Sequence, residues 1–181
     1  MFKQNKNKHL TMLAVLAVFG LPVLLAKLAL DNQWFNQGAT NKGQLIQPVV
    51  DYSSYLQNQP SKWRLVYHLP ANCDTTCENA IYSIQQVWLA LGRETDRAQP
   101  TILYSTASDA DKIKQLQQQA NLEVVALPNL PDAKSNTVLV VDTMNNAMLR
   151  YAIPASREQA IMGSRDILAD VRKLLKLSRI G

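Results

Sequence analysis

Cys73 and Cys77, separated by three residues, are where this 181-residue chain concentrates its chemistry. They sit in the run Pro70-Ala71-Asn72-Cys73-Asp74-Thr75-Thr76-Cys77-Glu78. At that spacing the sulfurs can close on each other as a disulfide or converge on one metal ion. A disulfide here is either a working dithiol couple or an inert staple, and spacing alone leaves both open. His68 lies just upstream, with an imidazole that points either toward the cysteines or into its own sheet. A closed zinc site needs four ligands, more than two Cys and His68 supply, whereas copper accepts soft thiolates with one imidazole. Met144, Met148 and Met162 stand at isolated apolar positions and read as core filler.

The pattern around the cysteines says what must hold them. Residues 63–68 (WRLVYH) are β-branched and aromatic, a strand signal. Residues 77–91 put Ala80, Ile81, Ile84, Val87, Trp88 and Leu91 on one helical stripe closed by Gly92. The cysteines therefore fall between a strand end and the first turn of a helix. There the unpaired N–H groups and partial positive charge favour a thiolate on Cys73, making it the attacking sulfur, while Asp74 and Glu78 work against that.

Further strands are expected at 101–105 and 123–127, with a helix from Ser108 to about Ala120 between them. Residues 137–141 and 147–152 form a hairpin turned by Asn145 and Asn146, and a last helix is expected from about Ser164. The order βαβαβ, hairpin, helix predicts an α/β fold with a mixed sheet.

Residues 10–30 (LTMLAVLAVFGLPVLLAKLAL) form an apolar run of roughly 31 Å as a helix, enough to cross a bilayer. Lys3, Lys6 and Lys8 precede it, and Asp31, Asn32 and Gln33 follow. The positive-inside rule then predicts a cytoplasmic N-terminus. A cleaved signal peptide is the competing reading, but Leu24/Ala26 and Lys27/Ala29 are poor small-x-small sites. The expected organisation is a cytoplasmic tail (1–9), a transmembrane helix (10–30), a polar linker (31–43) and an exported domain (44–181). An oxidising compartment, the bacterial periplasm, would let the cysteines form a disulfide.

The net charge of +5 comes mostly from the first thirty residues, which hold four Lys and no acid. Beyond them 15 basic residues face 14 acidic ones, which argues against a nucleic-acid-binding surface.

Several runs resemble the Sco proteins, thioredoxin-fold copper chaperones of cytochrome c oxidase assembly. KWRLVYHLPANCDTTC (62–77) is similar to their strand, loop and CxxxC; NKGQLIQP (41–48) and VLVVDTMNNAMLRY (138–151) are similar to their lead-in and late hairpin. The single anchor, IQQVWLALGRETDR (84–97) and the ending LLKLSRIG resemble a smaller group of Sco-related membrane proteins associated with cytochrome c oxidase genes. The resemblance implies a thioredoxin-like fold and places Cys73 and Cys77 on the family's metal-binding and redox cysteines. It departs at the third copper ligand, a His shortly before the late hairpin, where this chain has Lys134, Ser135 and Asn136. The stretch between Leu127 and Thr137 is also too short for the extra helix of Sco domains.

The expected function is accordingly that of an inner-membrane, periplasm-facing dithiol/disulfide assembly factor, with thiol-disulfide oxidoreductase chemistry at Cys73 and Cys77. Implied partners are a cytochrome c oxidase subunit, such as the one holding the dinuclear copper centre, or its assembly factors. One alternative is copper transfer with Cys73, Cys77 and His68 as ligands. Another is an interaction module with a structural disulfide, in which the anchor and the basic residues Arg172, Lys173, Lys176 and Arg179 do the work.

Overall fold

A computed structural model describes residues 4–32, 40–56, 58–128 and 136–178. The chain divides into two units, 1–40 and 41–181.

The first unit is one helix, α1 (Gln4–Asp31), continuous through Pro22. Its stretch from Lys8 to Asp31 is long and apolar enough to be a candidate membrane span. Leu10, Leu16, Phe19 and Leu24 stand exposed on it, as side chains meant for lipid would.

The second unit is built on six strands: β1 (Gln44–Asp51), β2 (Trp63–His68), β3 (Ala98–Tyr104), β4 (Glu123–Ala126), β5 (Thr137–Val141) and β6 (Asn146–Ala152). Their order in the sheet is β1-β6-β5-β2-β3-β4. β2, β3 and β4 run parallel, whereas β5, β6 and β1 pair antiparallel, so the sheet is mixed as expected. The helices are α2 (Ser53–Leu56), α3 (Thr75–Ala90), α4 (Ala110–Gln117) and α5 (Arg157–Leu177).

Strand alternation sends successive side chains to opposite faces. Leu65 and Tyr67 of β2, Ile102 of β3 and Val138 and Val140 of β5 pack with Cys77, Ile84, Leu116, Ile167 and Leu175 from the helices. Val66, Leu103, Leu139 and Val141 form a second core on the other face with Tyr52 and Leu56. Arg64 is buried, bonding Thr101 Oγ1 at 3.1 Å and the Pro60 carbonyl at 2.7 Å and ion-paired with Glu123, so one cation ties three adjacent strands together.

Several elements differ from the sequence expectation, among them the short α2 before β2, which it lacks. β1 carries no alternating burial and contains Pro48 after a cis Gln47–Pro48 bond; it is an edge strand, the place where a sheet tolerates proline. A 3-10 turn, Gly92–Arg97, intervenes before β3, and Trp88 Nε1 holds it by donating to the carbonyls of Thr95 (3.1 Å) and Ala98 (2.9 Å). α5 begins at Arg157, well before Ser164. Ser164 is a mid-helix residue whose hydroxyl bonds the Ala160 carbonyl at 2.8 Å, and buried Ala160 secures the extra turns.

Candidate functional site

The site forms where β2 ends. Leu69 N–H still reaches the Leu103 carbonyl at 2.9 Å, and Pro70 then turns the chain away from the sheet. Asp74 caps α3: its Oδ1 accepts the Cys77 N–H at 2.9 Å and its carbonyl the Glu78 N–H at 3.0 Å. Cys73 precedes the cap and Cys77 lies in the first turn, as the spacing predicts.

The two are joined in a disulfide, with Cα atoms 5.2 Å apart. Cys77 is fully buried, whereas Cys73 is partly buried and packs against the edge of the helix-side core. An attacking reagent therefore meets Cys73 first, with Cys77 beneath it.

A residue 36 positions away clamps the loop. Asp109 Oδ2 accepts the Cys73 N–H at 3.1 Å while its Oδ1 caps α4 through the Lys112 N–H at 3.0 Å. These backbone donors, that of Lys112 first and that of Cys73 next, hold its carboxyl below the usual range. The Asp109 N–H returns a bond to the Pro70 carbonyl at 3.0 Å, and the Ser108 hydroxyl donates to the Leu69 carbonyl at 2.7 Å. Glu78 is ion-paired with Lys112, so part of the negative charge anticipated around the cysteines is compensated. On the far side Asn79 donates to the Pro154 and Ala155 carbonyls at 3.1 and 2.9 Å, which ties α3 to the loop before α5.

His68 is not brought to the cysteines. Tyr67 faces the helices with Cys77, so His68, next along β2, faces the other way, 3.3 Å from the Tyr52 hydroxyl. Burial lowers its pKa from 6.5 to about 4, so the ring is neutral in the fold. The unfolded chain binds a proton near pH 6.5 that the folded one refuses until about pH 4. This contribution is therefore complete above pH 6.5 and lost as the pH falls toward 4, by up to about 3 kcal/mol. Urea unfolding across that window should show the slope in the wild type and a weaker one in His68→Phe; equal slopes would refute the assignment.

Among the described residues no group of three or more His, Cys, Asp or Glu could hold a metal ion. Asn136 accepts the Ile153 N–H through its carbonyl at 2.9 Å and closes the base of the hairpin; Lys134, Ser135 and Arg179 lie outside the described residues. Met148 does pack on the core, but Met144 and Met162 are exposed, contrary to the reading of all three as filler. Arg97 bonds the Leu175 and Ser178 carbonyls at 3.1 and 2.7 Å and caps the end of α5.

Sequence reasoning missed Asp109 and Tyr67. Asp109 had a legible signal, an Asx residue directly before a helix, but nothing local says that its second oxygen reaches the cysteine loop. Tyr67 is fully buried with its hydroxyl unpartnered among the described residues, and Asp74 is close enough for its charge to add to the upward pKa shift that burial causes.

A parallel β2-α3-β3 unit, an antiparallel hairpin, a closing helix and a cysteine pair at the start of α3 together define a thioredoxin-like domain. The model of the family described as "transmembrane-like, thioredoxin-like, C-terminal domain" matches residues 63–178, and the chain belongs to that family. Among solved structures it is similar to apo Sco1 from Thermus thermophilus: 13% identity over 76% of this chain and 99% of that one, TM-score 0.52. That likeness is one of fold. Weaker matches include copper-bound ScoI from Bradyrhizobium japonicum (13% identity, 68% and 97% of the two chains, TM-score 0.41). Another is a SCO1/SenC family lipoprotein from Bacillus anthracis (12% identity, 66% and 84%, TM-score 0.46). No curated protein matches the sequence.

Proposed function

We propose that this chain is a membrane-anchored dithiol/disulfide factor for cytochrome c oxidase assembly, acting through Cys73 and Cys77 on the periplasmic side. The observation that carries it is the stacking of the two sulfurs at one helix start, Cys73 accessible and Cys77 buried behind it. A staple needs no such difference in access, whereas a two-step exchange does.

In the reducing direction the Cys73 thiolate attacks a partner disulfide, forming a mixed disulfide and releasing one partner thiolate. The Cys77 sulfur then attacks Cys73, the Cys73–partner bond breaks, and the partner leaves as a dithiol with both electrons. A periplasmic dithiol donor restores the reduced form by the reverse exchange.

The choice of oxidase rests on the resemblance of residues 41–48, 62–77, 84–97 and 138–151 to Sco-type sequences, and the partner of choice is the subunit with the dinuclear copper centre. The exported placement rests on α1 and the lysines before it. Copper has a poorer fit, since the described residues offer two sulfurs and place His68 on the opposite face, so no step is routed through it.

The test is the reduction potential of the Cys73–Cys77 couple, by thiol trapping of the full chain in defined redox buffers. We expect a value between about −270 and −120 mV, the range of active dithiols. A value below about −300 mV would mark a structural bond and favour the interaction module.

A further inference from the structure

Tyr67 lies on the helix-side face of β2, in the same buried cluster as Cys77. Its side chain is 1% exposed, yet its hydroxyl finds no hydrogen-bond partner among the described residues in the disulfide form. A buried O–H without an acceptor destabilises a fold, and such groups are rare enough to need a reason. A change of redox state would supply one. A sulfur already in a disulfide is a poor acceptor, but reduction releases Cys77 as a free sulfur inside the same apolar cluster, where a hydrogen-bond donor counts most. Burial keeps the phenol protonated, so it has a proton to donate.

We propose that the Tyr67 hydroxyl is the donor for the Cys77 sulfur in the reduced protein, a positioning residue that favours the dithiol and aims Cys77 at Cys73. The inference rests on the dithiol reading above and adds a residue to it. In the resolving step the bond to Tyr67 holds Cys77 in place. The Cys77–Cys73 bond forms, the Cys73–partner bond breaks, and the partner sulfur leaves with the electron pair while the Cys77 proton passes to solvent. Tyr67 gains its partner only in the reduced form, so it shifts the equilibrium toward the dithiol and raises the reduction potential.

The experiment equilibrates the full chain in detergent with glutathione buffers and compares wild type with Tyr67→Phe. We expect the variant to favour the disulfide by about tenfold, or about 30 mV more negative, with its oxidised form melting no lower than wild type. Constants within about twofold of each other, or a shift toward the dithiol, overturn the proposal. Should the variant not fold, the wild-type infrared difference spectrum between dithiol and disulfide forms decides. A tyrosine band supports the proposal and its absence overturns it. A wild-type pair that never equilibrates with glutathione removes the dithiol reading and this inference together. A wild-type pair that equilibrates, matched by Tyr67→Phe, removes this inference alone.

Discussion

Cys77→Ser is expected to leave the chain covalently trapped on its partner, while Cys73→Ser gives no adduct and no exchange at all. The difference follows from access: Cys73 is only partly buried and Cys77 fully so, and in the proposed exchange the partner therefore meets Cys73 and Cys77 releases it. Without Cys77, release depends on thiols from solution, which lack the effective concentration of a neighbouring group, so resolution slows by roughly 10³-fold or more. The fold should survive either change. The Asp74 cap bonds the backbone N–H of residue 77 and not its sulfur, and a loop this short loses only about 2 kcal/mol on removal of its disulfide. Non-reducing electrophoresis of acid-quenched membranes reads the result. Equal adduct in both variants, or none in Cys77→Ser, would sink the assignment of roles.

A second large effect belongs to a residue far from the sulfurs. Asp170 of α5 is 4% exposed, and its Oδ2 accepts three bonds: from the backbone N–H of Lys42 (2.7 Å) and of Gly43 (2.9 Å) and from the Tyr151 hydroxyl (2.7 Å). One carboxylate thus fastens the start of β1 to the helix layer. Gly43 is part of the same lock, because a Cβ there would overlap the Tyr151 ring, which its bond to Asp170 holds in place. Asp170→Ala strands three donors at once. It should cost about 3 kcal/mol and lower the melting temperature by about 6–12 °C. Thermal unfolding followed by circular dichroism measures it, and a change within about 2 °C would show that water replaces the carboxylate.

This lock also shows where local reading stops. Residues 31–43 look like a linker because they are polar, yet Lys42 and Gly43 are already docked through a partner 128 and 127 positions away. β1 was illegible for a related reason: its side chains are nearly all exposed, so burial imprints no alternation on them. By contrast β2 and β5 have the bounds their sequences predict, because a run of β-branched and aromatic residues admits few other structures.

What the sequence determines by itself is periodic and local: an apolar span at the N-terminus, the alternation of strand and helix, and a cysteine pair at the start of a helix. Each follows from properties read within a few residues, namely hydropathy, side-chain period and capping. Only the tertiary structure decides that His68 turns from the helix layer while Tyr67 turns into the core that buries Cys77, that Asp109 clamps the cysteine loop, and that Asp170 fastens β1. A strand's period of two says that residues 67 and 68 point opposite ways, but not which face the helices will cover. That choice is made by packing between segments distant in the chain, and the chemistry of the site depends on it.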